Sequence, residues 1–253
     1  MRGSPRLGCV KYLNARPLIY GWPGDVHFDH PSVLCELLAA SIFDVALVSS
    51  FEYLRNPVYS IVDGISIASD GPVYSVVVAH RDPIEALTEI TIDPASLTSV
   101  NLLRSLLCER GLSPRLISDL ESRSPDCARL LIGDQAIKFR EQYSDFEFWD
   151  LGEEWQKLYQ RPFVYALWLI RPEVSVARDI ADQLRAIRSR NLGRIDEVIA
   201  SQKQFDRQFC ERYYRDNLRF TFGKRETEGL WMFQTLCAKH GFLATPELSL
   251  TLV

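Results

Sequence analysis

The chain has 253 residues, 47% hydrophobic and 25% charged, an ordinary globular composition with length for one large domain or two modest ones. Its formal net charge of -4 and pI near 5.7 supply no global positive field to hold nucleic acid or an anionic membrane surface, so an anionic ligand must be recognised locally. The longest apolar stretches, such as 163–170, fall short of the roughly 20 residues that a membrane-spanning helix needs.

Met1-Arg2-Gly3-Ser4-Pro5 lacks the pattern of an export signal and leads straight into a strand, so a cytoplasmic location is expected. Short runs rich in Val, Ile, Leu and aromatics at 6–10, 44–48, 75–79, 129–132 and 164–170 suit buried strands. Between them, Pro31-Ser32 can start a helix carrying Val33, Leu34, Leu37 and Leu38 on one face. Thr98-Ser99 precedes a second, with Leu102, Leu103, Leu106 and Leu107, that Gly111 ends. After Pro172 the pattern turns helical, at 174–191, 194–203, 206–215 and 224–240. Strand–helix alternation predicts an α/β fold of parallel sheets covered by helices, with ligands beyond the carboxyl ends of the strands. Pro-bearing breaks at 80–83 and 170–172 suggest two chain crossings, hence a discontinuous lobe I of 1–80 and 172–253 and a lobe II of 81–171. The cysteines Cys9, Cys35, Cys108, Cys127, Cys210 and Cys237 are dispersed without Cys-x-x-Cys spacing and read as reduced.

The familiar chemical motifs are missing. His27 and His30 flank Asp29, but residues of odd separation in a strand point to opposite faces, so no metal site is expected. There is no Gly-x-Ser-x-Gly, no Gly-x-Gly-x-x-Gly and no phosphate-binding loop, so no cofactor is expected either. What remains is a set of small polar residues placed directly after strands or at helix starts: Asn14, Ser49 and Ser50, Thr98 and Ser99, and Gly133 with Asp134. Free N–H groups at helix starts bind carboxylates without a basic surface, but for Thr98, Ser99 and Ser32 taken singly N-capping is the favoured reading, and Asp134 can cap a turn. Arg16 could fork onto a carboxylate or sit in a surface ion pair, and Ser75 lies where a turn feeds a strand.

Tyr12-Leu13-Asn14-Ala15-Arg16-Pro17-Leu18, Asp44-Val45-Ala46-Leu47-Val48-Ser49-Ser50-Phe51-Glu52-Tyr53 and Ile67-Ala68-Ser69-Asp70-Gly71-Pro72-Val73-Tyr74-Ser75-Val76 form an ordered series. Asp93-Pro94-Ala95-Ser96-Leu97-Thr98-Ser99, Leu131-Ile132-Gly133-Asp134-Gln135-Ala136, Asp150-Leu151-Gly152-Glu153-Glu154-Trp155 and Pro162-Phe163-Val164-Tyr165-Ala166 continue it. Together they resemble the chorismate dehydratases of the futalosine route to menaquinone, over nearly the whole chain. The resemblance implies a two-lobed fold like the type 2 periplasmic binding proteins, a small anionic substrate, chorismate, and a cofactor-free elimination of water. It implies Asn14 and Ser75 as catalytic residues, and Arg16, Ser49, Ser50, Thr98, Ser99, Gly133 and Asp134 as substrate-binding ones. Two departures stand out: Ser49 occupies a position where the family usually has Pro, and Gln160-Arg161 replaces Gly-Leu before Pro-Phe-Val. A non-catalytic carboxylate-binding protein and the naphthoate-forming enzyme of the same route are alternatives that share this kind of fold.

Overall fold

The computed structural model describes residues 5–93, 96–118, 127–244 and 249–253. Pro94 and Ala95 of the fourth motif lie outside them. The chain begins with β1 (Leu7–Val10), a 3-10 turn (Leu13–Ala15), α1 (Arg16–Ile19), β2 (Val26–Asp29), α2 (Pro31–Ala39), β3 (Val45–Ser49), α3 (Ser50–Arg55) and β4 (Ser60–Ser69). There follow β5 (Val76–His80), β6 (Glu89–Ile92), α4 (Leu97–Glu109), β7 (Arg115–Ser118), β8 (Arg129–Ile132), α5 (Gly133–Gln142), β9 (Glu147–Asp150) and α6 (Leu151–Tyr159). The last part holds β10 (Phe163–Ile170), α7 (Ala177–Gly193), α8 (Ile195–Ala200), α9 (Arg207–Arg212), a π-helical turn (Tyr213–Asn217) and α10 (Lys224–Lys239). Among the described residues no helix is long and apolar enough to cross a membrane.

Two five-stranded sheets result, ordered β2-β1-β3-β10-β4 and β7-β6-β8-β5-β9. Each is mixed rather than parallel. In the first, β10 runs antiparallel to both β3 and β4; in the second, β5 runs antiparallel to β8 and β9. The reversed strands share a cause, because each is the first strand laid down after the chain arrives from the other sheet. The crossings therefore fall between Ser69 and Val76 and between Asp150 and Phe163, which corrects the expected crossings at 80–83 and 170–172. It also places β5 with the second sheet and β10 with the first. The prolines at 83 and 172 end strands where they leave a sheet, a backbone role that does not require a change of sheet.

The core follows the apolar runs. β3 and β10 are buried along their whole length, as strands covered on both faces must be. Trp155 of α6, Phe163 of β10 and Phe233 of α10 meet edge to face, with the Phe163 centroid 4.9 Å from each of the other two. Rings of this size each contribute about 1.5–3 kcal/mol by leaving water, and here they join the second crossing to the C-terminal helix. The other edge of β4 is covered by the end of the chain, where the Ile61 N–H donates to the Thr251 carbonyl at 2.8 Å and the Val253 N–H donates to the Ile61 carbonyl at 3.0 Å.

Gly229 makes this packing possible, since a Cβ there would collide with the Pro162 carbonyl oxygen. Backbone cannot step aside as a flexible side chain can. Gly229→Ala should cost about 1–3 kcal/mol through overpacking, read as a lower Tm in thermal melts. An unchanged Tm would show that α10 does not bear on the second crossing.

Candidate functional site

The carboxyl ends of the forward strands and the amino ends of the two reversed strands meet between the sheets. Asn14 comes from the turn after β1, Ser49 from the end of β3, Thr98 and Ser99 from the first turn of α4, and Gly133 from the step between β8 and α5. Ser75 precedes β5, and Tyr165 lies in β10 at a shift in its register with β4. These residues line one cleft of about 580 Å³, counting its open mouth, within the range of small-molecule sites. Among the described residues, none that lines it carries a formal charge.

Six of the nine expected residues thus come together: Asn14, Ser75, Ser49, Thr98, Ser99 and Gly133. The other three do not line the cleft. Arg16 faces the open groove beside Tyr20 and Trp22, with its Nη1 3.4 Å from the Ser201 hydroxyl. Ser50 turns inward and donates to the Val164 carbonyl at 2.7 Å. Asp134 accepts the Leu13 N–H at 2.8 Å, joining the start of α5 to the turn that carries Asn14. Each departs from expectation for the same reason. Position after a strand or at a helix start fixes where the Cα lies, whereas the side chain follows its nearest polar partner, a backbone group for Ser50 and Asp134 and a hydroxyl for Arg16.

Thr98 also corrects the capping interpretation. The N-cap of α4 is Ser96, which makes no side-chain cap bond, and Thr98 sits inside the helix. Its hydroxyl instead reaches the opposite sheet, accepting the Phe51 N–H at 3.1 Å, meeting the Ser49 hydroxyl and lying 3.3 Å from that of Ser50. The free start of α3 is thereby capped from the other lobe. Ser49, standing where the resembled family usually has Pro, adds a hydroxyl contact that Pro could not make. Gly133 closes the opposite wall. With φ at +54°, a Cβ there would strike the Tyr12 ring, so glycine is required both by conformation and by space.

Three groups absent from the expected set complete the site. The Tyr213 hydroxyl lies 2.6 Å from Ser75 Oγ, and the Asn14 side chain is a second hydrogen-bonding neighbour of the same phenol. Burial pushes the Tyr213 phenol well above its ordinary value. Tyr165, also raised by burial, has its hydroxyl 3.0 Å from Ser69 Oγ. Asp150 carries no contact with the cleft but accepts N–H bonds from Val73 at 3.0 Å, Tyr74 at 2.7 Å, Gly152 at 3.0 Å and Glu153 at 3.1 Å. The motif around Asp150 marked the position, and the N-cap pattern Asp-x-x-Glu could have assigned it this role. Nothing in the pattern near Tyr213 signals a ligand site. Of the described residues that line the cleft, two have a buried oxygen without a partner, Asn14 Oδ1 and Ser96 Oγ. Among the described residues no group of three His, Cys, Asp or Glu side chains is placed to hold a metal ion, and the His30 ring turns away toward Lys11 and Tyr12.

Two α/β lobes closing on a ligand cleft define the class, a protein of the periplasmic-binding-protein fold. The crystal structure of the protein AF1704 from Archaeoglobus fulgidus superposes with a TM-score of 0.75 at 17% identity, covering 94% of this chain and 98% of that one. The periplasmic aliphatic sulphonate binding protein SsuA from Escherichia coli does so with a TM-score of 0.64 at 11% identity, over 97% of this chain and 95% of that one. Sequence is more specific than shape here. Residues 5–239 match the family described as menaquinone biosynthesis, and the chain belongs to that family. The chorismate dehydratase of Thermus thermophilus is 31% identical over 220 residues, which span 78% of this chain and 80% of that protein.

Burial holds the Asp134 carboxyl above the usual carboxylate range, with the Leu13 N–H and the charges of Lys138, Arg16 and Lys11 opposing it. A value raised on folding means that this group stabilises the fold fully below its unfolded value, near 4, and loses that contribution as pH rises through the folded value. Asp134→Asn keeps an acceptor for Leu13 without the buried charge. Its Tm should equal or exceed the wild-type value at pH 7.5, with the gap closing as pH falls toward 4. Melting below wild type at neutral pH would show instead that the charge itself holds the two lobes together.

Proposed function

We propose that this protein removes water from chorismate to give 3-[(1-carboxyvinyl)oxy]benzoate, a carbon–oxygen lyase step of menaquinone biosynthesis. One observation carries the proposal: in a chain 31% identical to a chorismate dehydratase, Asn14 and Ser75 line one uncharged cleft and converge on the phenol of Tyr213 behind it. The other readings open on the sequence, a non-catalytic carboxylate binder and the naphthoate-forming enzyme, are not favoured by that match.

The chemistry suits a site of neutral donors. The hydrogen on ring C3 of chorismate is conjugated through a ring double bond to the carboxylate, so its removal gives a delocalised dienolate. Breakage of the C4–O bond then releases hydroxide, which leaves as water with a proton, and the ring becomes aromatic. No side chain lining the cleft is a base at neutral pH, so the proton passes to the substrate's own enolpyruvyl carboxylate or to a water. The protein's part is to orient the substrate and to aim hydrogen bonds where charge grows. Carboxylates find the free N–H groups in the first turn of α4, around Thr98 and Ser99, and the hydroxyls of Ser96 and Ser99. Asn14 and Ser75 face the reacting ring.

Incubating the purified protein with chorismate in the presence of a chelator should yield a product lighter by one water, detected by mass. Chorismate bound but unchanged would leave a binding protein. Asn14→Asp tests the residue itself, because it keeps size and replaces a neutral amide with an anion beside a dianionic substrate. At ~4 Å and an effective dielectric of ~20, the repulsion costs about 4 kcal/mol, roughly a thousandfold in kcat/KM. Near-normal kinetics in this variant would remove Asn14 from the site.

A further inference from the structure

Asn14 and Ser75 stand on separate segments, one after β1 and the other at the entrance to β5. The group common to both is the hydroxyl of Tyr213, whose side chain is fully buried. Tyr213 opens the π-helical turn Tyr213–Asn217, a rare geometry that recurs at functional sites. In this turn two adjacent tyrosines both reach the site. The Tyr214 hydroxyl donates to the Leu13 carbonyl at 2.9 Å, just before Asn14, and Asn217 Nδ2 donates to the Pro72 carbonyl at 2.9 Å, in the crossing that delivers Ser75. One turn of the C-terminal segment therefore touches both halves of the reaction centre.

We infer that Tyr213 is a positioning residue that sets the direction of the hydrogen bonds at this site, receiving the Asn14 N–H and donating its own proton to Ser75 Oγ. A phenol has one proton and two lone pairs. Burial keeps this one protonated throughout the working pH range, so it has a single proton to give. On this assignment the Asn14 N–H takes a lone pair of its oxygen, the proton goes to Ser75 Oγ 2.6 Å away, and the Ser75 hydroxyl is left free to donate into the cleft. The other end of Asn14 agrees, since its Oδ1 is buried without a partner and awaits a donor from a ligand. The pair so fixed, one acceptor and one donor, matches an alcohol: the ligand's hydroxyl gives its hydrogen to Asn14 and receives that of Ser75 on its oxygen. For the proposed substrate this is the C4 hydroxyl that departs, and on that identification the inference rests upon the dehydratase reading.

Tyr213→Phe in the full chain removes the hydroxyl and retains the ring, which stacks on Phe209 with centroids 5.5 Å apart. The expected result is a kcat lower by about 10–100-fold, less than the hundredfold or more typical of a direct transition-state donor, with KM for chorismate changed less than about threefold and Tm nearly unchanged. A kcat within about twofold of wild type overturns the inference. So does a joint loss of kcat and affinity with a fallen Tm, which would mean a packing role alone. A second readout needs no turnover: the side-chain amide resonances of Asn14 in the free protein should shift in Tyr213→Phe and also in Ser75→Ala, because the phenol couples the two residues. Asn14 signals that stay in place in both variants overturn the inference, whatever the substrate. Wild-type protein that leaves chorismate unchanged overturns the dehydratase reading, and the amide resonances then decide the role of Tyr213 independently.

Discussion

The Asp150 carboxylate lies at the junction of both passages between the lobes. It ends β9, begins α6 as its N-cap, and accepts the N–H groups of Val73 and Tyr74 from the other crossing. Four backbone donors on one buried carboxylate satisfy groups that would otherwise cost about 1–3 kcal/mol each. Burial nonetheless lifts its pKa above the ordinary carboxylate range, so desolvation outweighs the four hydrogen bonds in the balance between its protonated and ionised forms. The geometry of the site follows from this junction, because Ser75 is the next residue after the segment it pins.

The electrostatics of the cleft are consistent with the acidic chain that surrounds it. A net charge of -4 repels a dianion weakly at long range, and no cation lines the cleft to compensate. Attraction is left to oriented dipoles: the start of α4 and the hydroxyls of Ser96, Ser99 and Ser75. Such groups hold their direction only if something else fixes them. The cross-lobe contact of Thr98 with Phe51 and that of Asp134 with Leu13 do this from two sides. Two residues that the sequence marks as ligand contacts, Thr98 and Asp134, thus also fasten the lobes together.

Particular elements show what could be read from sequence. The strands β1, β3, β5, β8 and β10 were legible because continuous apolar runs have few other uses, and the motif series located six of the lining residues. The sheet to which β5 and β10 belong was not legible, since a strand's composition does not record the direction from which it enters a sheet. The placement of Arg16, Ser50 and Asp134 was hidden because each meets a protein group, the Ser201 hydroxyl, the Val164 carbonyl and the Leu13 N–H, that lies far away in the sequence. Tyr213 was out of reach altogether. Its place depends on a π-helical turn, which leaves no periodic trace in an α-rich segment, and its partners lie 138 residues or more away in the chain.

Among the described residues only three other than glycine have positive φ, and two of them are in the crossings: Tyr74 at +68° and Gln160 at +51°. The resembled family commonly has Gly where Gln160 ends α6, a residue suited to that left-handed geometry. Tyr74 is held by Asp150, by the Arg140 guanidinium 4.2 Å above its ring and by Phe209. Arg161, beside Gln160, is tied to Glu228 of α10 at 2.8 Å. A side chain forced into this region has few neighbouring conformations to explore, whereas glycine has many. At both passages between the lobes the chain therefore has fewer conformations open to it than glycine would allow, so the connector that delivers Ser75 and the one that leads into β10 each carry a preferred local angle.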